Sequence, residues 1–242
     1  MSPKKTSRAA TGNGEKTYAL GEVLAWLERQ GKNKNIVGLE RNGIAANNPF
    51  GVTVGELKGF AKRIGKDHAL AQELWATGRY EAQLLAAFVD DAEKVTQRQM
   101  NAWAADFDNW AVVDTVCFHL FDRAAPAWKV VPNWAKARKE FKKRAAFAMV
   151  WALSVHDKLA VDKPFLDALC LIEVAAADER NFVKKAVDMA LRAIGKRNKA
   201  LNTAATETAL RLSSVEDTTA RWVGKHALKE LTSAGVLKRL KS

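Results

Sequence analysis

The chain is poor in cysteine, glycine, proline and long apolar runs, and each shortage excludes something. Two cysteines, Cys117 and Cys170, stand alone inside apolar helical patterns with no C-x-x-C pair. That argues against a disulfide framework or a thiolate zinc site, and for reduced, buried thiols in an intracellular protein. Fourteen glycines and five prolines in 242 residues, with abundant alanine, suit helices. No apolar run reaches the ~18 residues of a membrane span. The opening segment MSPKKTSRAATGNGEK is basic and polar without an apolar centre, so it does not read as a secretory signal. Residues 1–16 read instead as a disordered basic arm, and 17–242 as a single domain. The histidines His68, His119, His156 and His226 are scattered without ligand spacing and read as ordinary packing or surface residues. No Gly-rich phosphate loop, H-E-x-x-H or Ser/His/Asp pattern is present, so neither metal nor cofactor is expected.

What is in excess is positive charge. Lysine and arginine number 39 against 27 aspartates and glutamates, a net +12. Such an imbalance attracts polyanions, nucleic acid first and anionic membrane second.

Hydrophobic periodicity is close to 3.6 almost throughout, with no convincing strict alternation, so the fold class is all-α. Helices are expected over Leu20–Gln30, Val54–Ile64, Ala69–Thr77, Arg79–Asp90, Thr96–Asp106, Phe107–Phe121, Trp134–Val155, Lys163–Ala175, Asn181–Lys196, Thr203–Leu212 and Thr218–Leu231. Asp106 and Asp108 suit a cap on the central helix. Four helices of similar character begin near Trp110, Phe141, Phe182 and Arg221, roughly 30–40 residues apart, near the period of HEAT-type repeats. Stacked helix pairs of that kind form an α-solenoid whose concave face is made by every second helix. Lys136–Arg144 (KARKEFKKR) carries six positive charges, as does Phe182–Lys199 (FVKKAVDMALRAIGKRNK). Two such runs at matching repeat positions point to a concave basic groove rather than to two solvated outer faces.

Within the stretch FDNWAVVDTVCFHLF, Phe107, Trp110, Cys117 and Phe121 form an apolar stripe, and Asp114 interrupts it four residues after Trp110. Trp110 and Asp114 therefore share a helix face. Arg144 opens the next inner helix and continues a stripe through Phe147 and Trp151, so it is expected to face Asp114. One reading is a buried Asp–Arg pair that fixes helix register. The other is functional: a carboxylate in a cationic groove repels phosphate, but it stabilises a bound molecule that develops positive charge, as a sugar does when its N-glycosidic bond breaks. An indole beside it packs on the sugar and adds cation–π attraction. Trp75, Trp103, Trp128, Trp134 and Trp151 sit on apolar stripes and read as core.

Five segments, taken in order, carry a resemblance: NNPFGVTVGELKGFAKRIG, ELWATGRYEAQLLAAFV, FDNWAVVDTVCFHLF, FKKRAAFAMVWAL and FVKKAVDMALRAIGKRN. Together they resemble the DNA alkylation repair family of AlkD-like DNA glycosylases from roughly Val37 to Lys199. The resemblance implies a HEAT-like solenoid that wraps duplex DNA and excises cationic N7- or N3-alkylated purines without flipping the base into a pocket. It implies Asp114 as the catalytic carboxylate, Trp110 as the aromatic wall and Arg144 as the group holding the aspartate and the DNA backbone. Lys58, Lys142, Lys143, Lys184, Lys185 and Arg192 are expected to contact DNA, with Met189 beside it. Two positions depart from the family: Met189 stands where a second tryptophan is usual, and Asn42 falls where a tyrosine is usual. Both bear on substrate scope and rate more than on fold. The expected protein is a monomeric, cytoplasmic, nucleoid-associated glycosylase acting on duplex DNA with alkylated purines. The alternatives are a non-catalytic HEAT-like protein that binds damaged or distorted DNA, and an α-solenoid scaffold for an acidic protein or RNA.

Overall fold

The computed structural model describes residues 17–240, which contain fourteen α-helices, a single 3-10 turn and no strand. The basic arm at 1–16 lies outside the described residues. The helices are α1 (Leu20–Gln30), α2 (Asn33–Arg41), α3 (Val54–Ile64), α4 (His68–Ala76), α5 (Tyr80–Val89), α6 (Gln97–Asp106) and α7 (Trp110–His119). After the 3-10 turn at Phe121–Arg123 come α8 (Ala127–Ala135), α9 (Glu140–His156), α10 (Lys163–Ala175), α11 (Asn181–Ile194), α12 (Lys199–Ser213), α13 (Thr218–Leu231) and α14 (Ala234–Arg239).

The helices pack in two layers. Along the inner layer α3, α5, α7, α9, α11 and α13 each touch the next, while α4, α8 and α12 cover α5, α9 and α13 from outside. The outer helices α6, α8, α10 and α12 also touch in sequence. This is the α-solenoid expected from the repeat spacing. One apolar cluster runs through it from Val23 to Leu231. The inner helices are deeply covered: α5 buries nine of its ten residues, and in α9 the run Ala145–Ala148 is fully buried, its three alanines letting neighbouring helices approach.

Three expectations need correction. Trp134–Val155 is not one helix but two, α8 and α9, broken at Lys136–Lys139. The sequence disguises α8 because Pro132 lies inside it, yet Ala127, Val130, Val131 and Trp134 keep the i, i+3, i+4, i+7 face that buries it. The cap of α7 is Asn109, whose side chain accepts from the Val112 amide at 3.0 Å, rather than Asp106 or Asp108. Asp106 instead accepts from the Trp75 indole at 2.9 Å. Cys170 is exposed, whereas Cys117 is buried as expected. Among the described residues no helix is long and apolar enough to cross a membrane.

The histidines are more than packing. His68 and His226 bond through Nδ1 to Asp90 at 2.6 Å and to Asp188 at 2.8 Å, and His156 bonds likewise to Asp122. All three carboxylates are buried and all three imidazoles partly exposed, so each acid meets its partner at the protein surface.

Candidate nucleic-acid interface

Asp114 and Arg144 meet across the α7–α9 contact. Arg144 donates from Nε to Oδ1 at 2.9 Å and from Nη2 to Oδ2 at 2.6 Å, a bidentate fork. Its third arm, Nη1, donates to the Phe182 carbonyl at 2.7 Å, at the start of α11. The Arg144 side chain is 6% exposed and that of Asp114 18%, so the carboxylate keeps an open edge while the guanidinium is enclosed. Burial pushes the Asp114 carboxyl up, and the charge and hydrogen bonds of Arg144 pull it back. An arginine has no neutral form at accessible pH, so the bidentate fork demands an anion opposite it.

Trp110 stands one turn before Asp114, half-buried, with the Arg144 guanidinium 6.0 Å from its ring centre. Its indole N–H donates to the Asn42 carbonyl at 3.2 Å. The residue that falls where the family has a tyrosine thus contributes its backbone, and α2 closes against the inner layer here. Beside the pair opens a cavity of about 430 Å³, lined by Asn42, Trp110 and Arg144 together with residues of α11 and α13. Met189 lines it, as do Lys185 and Arg192.

The expected DNA-contacting cations do not form one uniform trough. Arg192 is held by Asp188 at 2.9 Å and also bonds Glu230. Lys143 is held by Asp178 at 2.8 Å and is largely covered. Lys142, Lys184 and Lys185 make no ion pair among the described residues, and Lys185 is exposed. Lys58 lies elsewhere, in a second cavity of about 390 Å³ with Lys62, Lys66, Phe88, His119 and Arg123, at the far end of α7 from Trp110. Burial, reinforced by Lys58, Arg123 and His156, lowers His119 to about 4, so it stays neutral at physiological pH.

Sequence reasoning missed Trp222, His226 and Asp188. Trp222 is 41% exposed and stacks on His226 with ring centres 5.0 Å apart and planes 7° apart. A solvent-exposed indole on an amphipathic helix is a signal that the pattern of α13 carried. Asp188 reads in sequence as an ordinary i, i+4 partner of Arg192 and gives no sign of its burial. Trp151, expected in the core, is half-buried and packs on Phe118 at 4.4 Å. No group of three His, Cys, Asp or Glu side chains among the described residues is placed to hold a metal.

Comparison with known proteins decides the family. A family model described as DNA alkylation repair enzyme matches residues 23–231. The chain belongs to the DNA alkylation repair enzyme family. Family membership embraces the whole inner layer from α3 to α13, including the Asp114–Arg144 pair and the cavity beside it. A solved structure described as a new family of proteins related to the HEAT-like repeat DNA glycosylases, with affinity for branched DNA structures, shares the fold. It superposes with a TM-score of 0.76 at 22% identity, covering 92% of this chain and 96% of that one. No curated protein sequence matches. The fold is therefore a HEAT-like repeat solenoid.

Proposed function

We propose that the protein is a DNA glycosylase that excises cationic alkylated purines, N7-alkylguanine and N3-alkyladenine, from duplex DNA, with Asp114 as its catalytic residue. The observation that carries this reading is the Asp114 carboxylate, fixed by both oxygens on Arg144 yet open on one edge beside Trp110. The carboxylate is pre-organised, so it requires no reorientation when positive charge appears next to it.

An alkylated purine already carries positive charge. When the C1′–N bond breaks, its electron pair returns to the base and leaves it neutral, so no protein acid has to protonate the leaving group. The positive charge passes to the sugar as an oxocarbenium ion. Asp114 stabilises that ion, Trp110 packs against it, and water adds at C1′ and releases its proton. Lys142, Lys184 and Lys185 position the duplex through phosphates without reading sequence. The base needs no enclosing pocket in this scheme, in contrast to enzymes that flip it into one.

A second reading is a non-catalytic binder of distorted or branched DNA. It is favoured by the affinity for branched DNA ascribed to the solved structure of the same fold, and by Met189, which offers no π face where the cavity would use one.

The deciding experiment is base release from a duplex with one N7-methylguanine, scored by alkali cleavage at the abasic site, for wild type beside Asp114→Asn. The glycosylase reading expects release by wild type alone, with binding retained or tightened in the variant because a charge that repels phosphate is gone. Release by neither protein, with both folded and bound to DNA, overturns it in favour of the binder.

A further inference from the structure

The cavity beside Trp110 has a second indole that the excision scheme does not use. Trp222 reaches it from α13, while Trp110 reaches it from α7; these are the last and first of four successive inner helices. We propose that this cavity is a subsite for a single unpaired nucleotide of the bound DNA, whose base stacks on Trp222. The proposal rests on the reading that the concave face binds duplex DNA, but not on catalysis.

Four observations point the same way. The space, about 430 Å³, lies at the small end of ligand pockets and suits a nucleoside rather than a base pair. Trp222 is a prepared platform. Its ring lies nearly parallel to His226, and Nδ1 of that imidazole is anchored on Asp188, which is only 3% exposed. The acids nearest the cavity are already matched: Asp114 by Arg144, Asp188 by Arg192 and a hydrogen bond to His226, and Glu230 by Arg192 and Lys196. They leave little net repulsion for a nucleotide. Cations are at hand for its phosphates: Lys185 stands on the lining, and Lys184 Nζ lies over the Trp222 ring, 5.0 Å from its centre, on a long side chain that an incoming base displaces from the indole toward its own phosphate. Met189, flexible and apolar, adapts to the base without dictating its identity.

This arrangement selects by pairing state. A base inside a duplex has both faces stacked on its neighbours and offers no π face to a side chain. An unpaired base at a bulge or branch point offers one, and every base has it, so the preference is independent of sequence. It also gives a physical reason for the exposure of Trp222. A large indole is left unburied on a helix that otherwise buries its apolar side chains.

The test is fluorescence anisotropy with three labelled DNAs: a paired duplex, the same duplex with one unpaired nucleotide, and that duplex with an abasic residue in place of the unpaired nucleotide. Stacking on an aromatic side chain is worth about five- to a hundred-fold in affinity per base. Wild type is expected to prefer the unpaired-nucleotide duplex over both others by a factor in that range. Trp222→Ala should bring the ratio close to one, and Trp222→Phe should keep most of it. Equal binding of all three DNAs by wild type overturns the proposal, as does a preference that survives Trp222→Ala. Failure to bind any duplex, at any salt, would instead overturn the reading on which the proposal stands.

Discussion

Removing the carboxylate of Asp114 is more damaging than removing the guanidinium of Arg144, although each deletes the same pair. The Asp114→Ala variant leaves Arg144 enclosed, its side chain 6% exposed, with only the Phe182 carbonyl as partner. That charge cannot be discharged by losing a proton. Breaking a buried pair in this way costs about 3–5 kcal/mol. In a chain of this size each kcal/mol moves the midpoint by roughly 2–4 °C, so a fall of about 6–20 °C is expected. The Arg144→Met variant leaves Asp114 instead, and a carboxyl already pushed up by burial escapes by taking a proton. Its cost is therefore smaller and depends on pH. With the folded pKa raised above the unfolded one, the folded state binds the extra proton, so Arg144→Met regains stability as the pH falls. Asp114→Ala does not. The double variant should be more stable than Asp114→Ala alone, because the stranded cation is gone. Urea or thermal unfolding followed by circular dichroism at two pH values measures all four proteins. A loss below about 1 kcal/mol for Asp114→Ala, or additive losses in the double variant, would refute the reasoning. Asparagine is the milder substitution for the activity test, since it keeps one oxygen acceptor for Arg144, but it leaves the guanidinium's charge uncompensated and should itself lose part of this stability.

Two further outcomes follow from packing and titration. Gly224 lies where α13 crosses α12, and a Cβ there would stand 2.7 Å from the Ala209 carbonyl oxygen and overlap the Ser213 amide, both backbone atoms. Gly224→Ala should lower stability by about 1–3 kcal/mol in the same unfolding assay, and an unchanged midpoint would contradict the close approach. His119 is held neutral down to about 4 against an ordinary 6.5, so between those values the unfolded chain binds more protons than the folded one. That contribution is present above 6.5 and is lost as pH falls toward 4. His119→Gln should therefore lose less stability than wild type on going from about pH 7 to about 4.5.

The helical class was legible because the inner helices bury continuous faces whose spacing no turn interrupts. The misses have specific causes. In α2 (NKNIVGLER) no residue is buried, so it prints no apolar stripe, and its role is to bring the Asn42 carbonyl to Trp110. In α8 a proline masks a regular buried face. At the site, the facing of Asp114 and Arg144 followed from spacing within each helix. Which helices converge on the cavity did not, because Asn42 after α2, Trp110 on α7 and Trp222 on α13 are separated by dozens of residues and meet only in the folded stack. Charge runs misled in a further way. Counting lysines and arginines cannot reveal that Asp178, Asp188 and Glu230 fold back onto Lys143 and Arg192.

Arg144 belongs to α9, grips α7 through Asp114 and holds the start of α11 through the Phe182 carbonyl. Mechanically it is a tie-rod across three successive coils of a spring. A solenoid accommodates a bulky or bent partner by flexing, and flexing changes the spacing of neighbouring inner helices. Any such change has to stretch one arm of the guanidinium or the other. The side chain that orients the carboxylate is therefore also a strain gauge, and any change in the spacing of α7, α9 and α11 is felt at Asp114.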